Sequence, residues 1–162
     1  TDGSAAVLLA SDEWANKNNL DVESYITSFE IAAVNYIDNE GLLMAPAYAV
    51  SEMLKKQNLN LQDFDFYEIH EAFAAQTLAT INAWKSEEFC KSKLGREKVM
   101  GSFDHNKLNV KGGSLAIGHP FAATGARIVA TLSKLLKDNG GGKGLISICT
   151  AGGMGITAIL ER

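Results

Sequence analysis

The chain has 162 residues, of which 46% are hydrophobic, enough apolar material for one packed domain without help from metals or disulfides. Its 15 basic and 19 acidic side chains give a net charge of -4, which excludes a basic nucleic-acid surface, so we predict no nucleic-acid partner. Two distant cysteines, Cys90 and Cys149, favour a reducing compartment over a disulfide framework. No apolar run approaches the ~20 residues that span a bilayer, and the first residues do not resemble a secretory leader, so we expect a cytoplasmic protein, or an organellar one in a eukaryote.

The first half of the chain predicts strands that alternate with helices. Residues 5–10 are apolar and strand-like, and they follow no initiator Met, which we interpret as the continuation of a longer chain. We predict a short helix over residues 14–17 and a strand over residues 25–36, which are rich in β-branched and aromatic side chains. Pro46 suits the first turn of a helix whose apolar face predicts an end near Asn58.

The second half continues the alternation after a glycine break. The predicted elements are a strand at 64–69, a helix at 71–84, a helix at 124–137 and two strands at 145–149 and 156–160. Residues 86–111 are less regular, and we assign them no function. This order predicts an α/β layered domain with a mostly parallel sheet, to which the last two strands add an antiparallel edge because a short glycine turn joins them.

Three residues with chemically useful side chains share one setting in this fold. His70 follows a strand, His119 lies in a glycine loop before a helix, and Cys149 ends a strand before a glycine turn. Ligands of open α/β sheets bind at the carboxyl ends of strands, so we expect these residues to converge. The amides of Gly152 and Gly153 are expected to lower the thiol pKa and to bind an oxyanion.

Each of these residues also has a structural interpretation. Cys149 fits a buried core position, which is the commoner place for a cysteine on an apolar strand. His119 fits a turn satisfied by backbone groups, and His70 fits a cap of the helix that follows it. We predict no metal site, because two cysteines and three histidines are too scattered for a zinc centre. Residues 140–144 lack the glycine spacing and the Ser or Thr of a phosphate loop, and they precede a strand.

Three motifs in order carry a family resemblance. They are His-Glu-Ala-Phe-Ala at 70–74, Gly-Ser-Leu-Ala-Ile-Gly-His-Pro at 113–120 and Cys-Thr-Ala-Gly-Gly-Met-Gly at 149–155. Together they resemble the active-site motifs of thiolases, and the variants present look most like the β-subunits of fatty-acid oxidation complexes. The resemblance implies a thiolase-like layered βαβαβαββ domain, with residues 1–162 as the C-terminal domain and residues 1–10 as the end of a strand that links it to an N-terminal domain.

The resemblance also implies a reaction and a role for each residue. It implies an acyltransferase that cleaves 3-ketoacyl-CoA with coenzyme A, or runs the reverse Claisen condensation, in fatty-acid β-oxidation. Cys149 would be the acid/base thiol, and His119 would activate a nucleophilic cysteine of the N-terminal lobe and donate to the thioester oxygen. His70 stands where many thiolases carry Asn, and it would donate directly to the substrate oxygen. Residues Ala72 and Phe73 would contact the pantetheine end of coenzyme A.

The resemblance further implies the partners. They are acyl-CoA and coenzyme A, the N-terminal lobe, further copies of the protein, and a hydratase/dehydrogenase subunit. No cofactor is expected besides coenzyme A as substrate, and these 162 residues alone are expected to be inactive because the nucleophilic lobe is absent from them. Two alternatives stay open: a non-catalytic coenzyme A-binding or assembly module of the same fold, and another acyl-CoA condensing enzyme. Cys149 in its glycine turn argues against the second.

Overall fold

One mixed sheet with helices on both faces forms the domain in the computed structural model, which describes residues 2–38 and 40–162. The strands are β1 (Tyr25–Ala33), β2 (Phe66–Ile69), β3 (Lys143–Thr150) and β4 (Met154–Glu161). The helices are α1 (Asp12–Lys17), α2 (Ala45–Gln57), α3 (Ala74–Lys85), α4 (Glu87–Ser92), α5 (Ser114–Ile117) and α6 (Thr124–Asp138), with 3-10 turns at Tyr36–Asp38 and His105–Lys107.

The sheet has the order β1-β4-β3-β2. Strands β2 and β3 are parallel, whereas β4 is antiparallel to both of its neighbours, so β1, β2 and β3 run in one direction and β4 in the other. The α/β class and the pairing of the last two strands are therefore confirmed. The sheet is mixed rather than mostly parallel, because β4 lies between β1 and β3 and is antiparallel to both, which leaves one parallel pairing among the three described. The expected antiparallel edge is wrong: β4 lies inside the sheet, because β1 uses the backbone groups on its outer side.

The predicted opening strand is also wrong. Within the described residues 2–10 there is no strand, and Leu8 and Leu9 are largely exposed. A strand needs backbone hydrogen bonds to a neighbouring strand, and no strand of the described sheet pairs with this segment. Its side chains instead line a groove of about 620 Å³ together with residues of α1, β1 and α6.

Two apolar layers cover the two faces of the sheet. Side chains alternate between the faces of a strand, so Leu145 of β3 packs with Trp84 against α2 and α3, while its neighbour Ile146 packs against α6. The apolar face of α6 contributes Ile128 and Leu132 to this second layer. No helix in the described part of the chain has both the length and the apolar character needed to cross a membrane.

Helix boundaries follow local chemistry. Pro46 lies in the first turn of α2, and Asn58 ends this helix in the left-handed conformation with φ 53°, as the sequence predicts. Helix α3 begins at Ala74, three residues later than predicted, because Phe73 is extended (φ -147°) and precedes the first helical turn. The excursion that follows contains α4, where Cys90 is buried and its thiol donates to the carbonyl of Trp84 at 3.4 Å, so this cysteine belongs to the core.

Candidate active site

The carboxyl ends of β2 and β3 bring the candidate residues to one edge of the sheet. His70 follows the last residue of β2, and its backbone N–H donates to the carbonyl of Ser147 on β3 at 2.8 Å. Cys149 lies two residues further along β3, which corresponds to ~6–7 Å along the strand. The parallel pairing of these strands therefore places the imidazole and the thiol on neighbouring strand ends.

His119 reaches the same place from the loop between α5 and α6. Its ring lies 4.3 Å from the ring of His70, measured between centroids, and 4.8 Å from the ring of the exposed Phe121. The Nδ1 atom of His119 lies 2.6 Å from Oγ1 of Thr124, in the first turn of α6, which orients the ring. The structure thus brings together the two histidines that the sequence places 49 positions apart.

Burial keeps His70 neutral. The residue is 2% exposed, and burial, followed by the nearby His119 and Arg127, lowers its pKa from 6.5 to about 4, while Glu71 acts in the opposite direction. A neutral imidazole has one nitrogen that donates and one that accepts. At neutral pH His70 is therefore suited to hydrogen bonding rather than to carrying a positive charge.

The thiol of Cys149 does not have the lowered pKa that the sequence led us to expect. Cys149 is 5% exposed, and burial raises its pKa from 9.0 to about 11. Its Sγ donates to Oε1 of Gln76 on α3 at 3.5 Å, a contact that favours the protonated form. The expectation fails because burial penalises the thiolate more than the hydrogen bonding around it compensates. At neutral pH Cys149 is a proton donor.

The turn after β3 requires glycine. Gly152 and Gly153 have φ of 84° and 75°, a left-handed conformation that other residues rarely adopt. Gly153 is also packed so closely that a Cβ there would lie 2.6 Å from the carbonyl oxygen of Val34. Among the described residues, neither glycine N–H donates to an oxygen atom; Gly152 is exposed and Gly153 is buried, so the Gly152 N–H is the one open to solvent.

The two residues expected to contact coenzyme A lie directly after His70. Ala72 is half-buried, and Phe73 is 65% exposed at the start of α3. Their position beside the histidines follows from chain connectivity. The structure therefore places an exposed aromatic surface at the same strand end as the three polar side chains.

Several residues that the sequence did not single out hold these groups in place. The carboxylate of Glu71 accepts from Nδ2 of Asn109 at 2.8 Å and from the N–H of Leu115 at 3.1 Å. Asn109 also bonds both backbone groups of Ile69 at 2.9 Å. These bonds clamp the end of β2 to the start of α5. The sequence signal for Asn109 is a lone polar residue between Leu108 and Val110.

A buried ion pair lies behind the histidines. Glu68 of β2 is 1% exposed, and its Oε2 lies 3.5 Å from Nη1 of Arg127 on α6. The second oxygen of Glu68 has no hydrogen-bond partner among the described residues. Burial raises the pKa of this carboxyl to about 7, against the effect of Arg127, which lowers it. A glutamate within a predicted strand is the sequence signal for this pair.

Across residues 2–38 and 40–162 no group of three or more His, Cys, Asp or Glu side chains is arranged to hold a metal ion. The chemistry available at this edge consists of a thiol, two imidazoles and free backbone amides, which transfer protons and stabilise oxyanions.

The comparisons with known proteins agree with this arrangement. The family model of the thiolase C-terminal domain matches residues 20–162. A 3-ketoacyl-CoA thiolase from Shewanella loihica is 45% identical over 161 residues, which cover 99% of this chain and 36% of that relative. The chain therefore spans about a third of the length of the curated relatives it matches.

Solved structures show the same fold. The peroxisomal 3-ketoacyl-CoA thiolase of Saccharomyces cerevisiae is 38% identical with a TM-score of 0.71, and the match covers 92% of this chain and 37% of that one. The Acat5 thiolase of Ascaris suum, solved in complex with coenzyme A, is 31% identical with a TM-score of 0.69, and the match covers 94% of this chain and 34% of that one. From the family match and these similarities, the chain belongs to the thiolase family and corresponds to its C-terminal domain.

Proposed function

We propose that the chain forms the acid/base half of the active site of a 3-ketoacyl-CoA thiolase. The observation that carries the proposal is the convergence of His70, His119 and the Cys149 strand end at one edge of a thiolase C-terminal domain. Similar relatives bear the name 3-ketoacyl-CoA thiolase, which supports this reaction class. A role in fatty-acid β-oxidation follows from the same likeness.

In the thiolytic direction the proposed mechanism begins at a nucleophilic cysteine outside these residues. Its thiolate attacks the 3-keto carbon, the bond between C2 and C3 breaks, and the electron pair moves to the departing acetyl-CoA enolate. Cys149, protonated at neutral pH, gives its proton to C2 of the enolate. The resulting Cys149 thiolate takes the proton of incoming coenzyme A, whose thiolate then releases the acyl group from the nucleophilic cysteine as a new acyl-CoA.

The histidines act on the oxygen and on the nucleophile. Neutral His70 donates a hydrogen bond to the substrate oxygen on which negative charge develops, and the free amides of Gly152 and Gly153 supply further donors. His119 activates the nucleophilic cysteine and also donates to the thioester oxygen. All these groups lie at or just beyond the carboxyl ends of β2 and β3.

Coenzyme A is the proposed substrate, and we expect no further cofactor. The similar Ascaris suum thiolase was solved in complex with coenzyme A, which supports a site of this kind. We propose that Ala72 and the exposed Phe73 contact its pantetheine end. Phe73 supplies an apolar surface for the pantetheine arm that carries the reacting sulfur.

A second lobe, a homo-oligomer and a hydratase/dehydrogenase subunit are the proposed partners. The yeast thiolase is described as built from two core domains of identical topology, which supports a second lobe. Strand β1 exposes Phe29 at 66% and Ile31 at 61% on one face, an apolar surface that such a partner would cover. The proposed cytoplasmic or organellar location is supported by the free thiols of Cys90 and Cys149 and is testable by cell fractionation.

The decisive experiment is thiolysis of a long-chain 3-ketoacyl-CoA by the protein expressed from its complete gene. We expect Cys149→Ser to reduce the rate by ~10² or more, because a serine hydroxyl is a much weaker acid than the thiol. The matched control is Cys90→Ser, which alters a buried cysteine of the core. We expect the 162 residues alone to show no turnover.

The other outcomes discriminate between the alternatives. An active protein whose Cys149→Ser variant is equally active would make Cys149 structural and the mechanism wrong. A protein that binds coenzyme A but cleaves neither long nor short substrates would be a non-catalytic binding module. A condensation product other than a 3-ketoacyl-CoA would identify another condensing enzyme.

A further inference from the structure

A chain of polar contacts connects the buried ion pair to His70. Nη2 of Arg127 lies 3.2 Å from Oγ of Ser114, and the same Oγ lies 3.1 Å from Nδ1 of His70. Ser114 is 6% exposed and His70 is 2% exposed, so the contacts are closed to solvent. The same guanidinium lies 3.5 Å, through Nη1, from Oε2 of the buried Glu68.

The chemistry of the groups sets the direction of these hydrogen bonds. A guanidinium only donates, so Ser114 Oγ must accept from Arg127. The hydroxyl proton of Ser114 then has Nδ1 of His70 as its acceptor. If Nδ1 carried a proton instead, the hydroxyl would accept from both neighbours, and its own buried proton would need a different acceptor. No other bond from the Ser114 hydroxyl exists among the described residues.

We propose that Arg127, acting through Ser114, is a positioning residue that holds His70 in the tautomer protonated on Nε2. The nitrogen remote from Ser114 is then always a donor. The use of this N–H on a substrate oxygen rests on the proposed thiolase function, whereas the tautomer itself does not. The lowered pKa of His70 is consistent with a ring that stays neutral in this state.

This arrangement favours one of the two neutral tautomers of His70. A neutral imidazole in water exchanges its proton between Nδ1 and Nε2, and only one of the two tautomers donates towards the site. The Ser114 hydroxyl, itself oriented by a permanent cation, stabilises one of them. In metal sites, residues that orient a ligating histidine change activity about 10–100-fold when they are removed, and Ser114 acts on the His70 ring in the same manner.

The test is the protonation pattern of His70, read by 15N NMR on the complete protein labelled in histidine. His70→Gln assigns the His70 signal among those of the other histidines. In the wild type we expect one tautomer with the proton on Nε2. In Ser114→Ala and in Arg127→Met we expect a mixture of tautomers, and in Ser114→Thr, which keeps the hydroxyl, we expect the wild-type pattern.

Two matched controls separate the contact from general disturbance. Ser133→Ala removes a buried serine hydroxyl that pairs with Ser24 at 2.8 Å, and Arg96→Met removes an arginine that binds Ser51 at 2.7 Å. Neither variant is expected to alter the His70 signal.

Thiolysis kinetics supply the second readout. We expect kcat to fall roughly 10-fold or more in Ser114→Ala with KM little changed, and Ser114→Thr to recover most of it. A wild-type His70 protonated on Nδ1 would overturn the proposal, as would an unchanged pattern in both Ser114→Ala and Arg127→Met. If the tautomer is as proposed but the protein has no thiolase activity, the contact chain stands and the proposed function fails.

Discussion

Replacing Glu68 with glutamine is expected to change how the stability of the domain depends on pH. Glu68 is 1% exposed, and burial raises its pKa from 4.5 to about 7. The folded state therefore favours the protonated carboxyl more than the unfolded chain does. The stability from this group is fully present below the unfolded pKa of about 4.5, and it is lost as the pH rises through about 7.

The size of the effect follows from the pKa change. A pKa change of one unit corresponds to about 1.4 kcal/mol. Raising the pKa of Glu68 from 4.5 to about 7 therefore makes its ionisation in the folded state cost on the order of 3 kcal/mol. Most of this cost, roughly 2–3 kcal/mol, is incurred between about pH 5 and about pH 9. Glutamine has the shape of the protonated acid and does not ionise. The stability of Glu68→Gln relative to the wild type is therefore expected to rise by roughly 2–3 kcal/mol over this range.

Urea unfolding of the 162-residue chain at a series of pH values measures this difference, with tryptophan fluorescence as the signal because Trp84 lies in the core. Glu52→Gln is the control, since Glu52 is an exposed side chain of α2, and a surface change of this kind is expected to stay within about 0.5 kcal/mol at every pH. A stability difference for Glu68→Gln that is flat with pH, or falls as pH rises, would refute the reasoning. The carboxyl would then be ionised in the fold at all these pH values.

Three further experiments probe the glycine turn, the hydrogen bonds of Asn109 and the thiol of Cys149. Gly153→Ala is expected to destabilise the domain by about 1–3 kcal/mol in urea unfolding, because its Cβ would lie 2.6 Å from a backbone oxygen; Gly95→Ala has open space and is expected to cost only about 1 kcal/mol, and equal losses would contradict this account. Asn109→Ala is expected to lower stability by about 2–3 kcal/mol, because the backbone groups of Ile69 lose buried partners; a loss below about 0.5 kcal/mol in the same assay would show that the bonds contribute little. Cys149 is expected to react slowly with iodoacetamide at neutral pH and faster as the pH approaches about 11, and a rate that levels off below about pH 8 would show a lowered thiol pKa.

The sequence predicts most of the element order because the signals are local. The apolar face of α6 and the glycine turn before β4 depend only on neighbouring residues, and the structure confirms them. The placement of His70 and Cys149 at strand ends was equally predictable, because helix and strand boundaries locate both residues. Parallel pairing of β2 with β3 then brings the two strand ends together, as the alternation of strands and helices implied.

Tertiary structure alone decided the position of each strand in the sheet. An apolar pattern at residues 5–10 is consistent with a strand, but a strand also requires backbone pairing with a neighbour, and no strand of the described sheet pairs with this segment. Likewise, a short turn between the last two strands predicts that they pair, but it does not say which strand pairs with the other side of β4. Strand β1, distant in sequence, takes that place.

The chemical state of the site was also decided by contacts between distant residues. The sequence shows the glycine amides near Cys149, but burial raises the pKa of its thiol to about 11 and keeps it protonated at neutral pH. Ser114 lies 44 positions from His70 in the sequence, yet its Oγ lies 3.1 Å from Nδ1 of the His70 ring. Motifs and periodicity therefore determined which groups are present and on which elements they lie. Their pKa values and hydrogen-bond directions depend on burial and on partners that only the folded chain brings within a few ångströms.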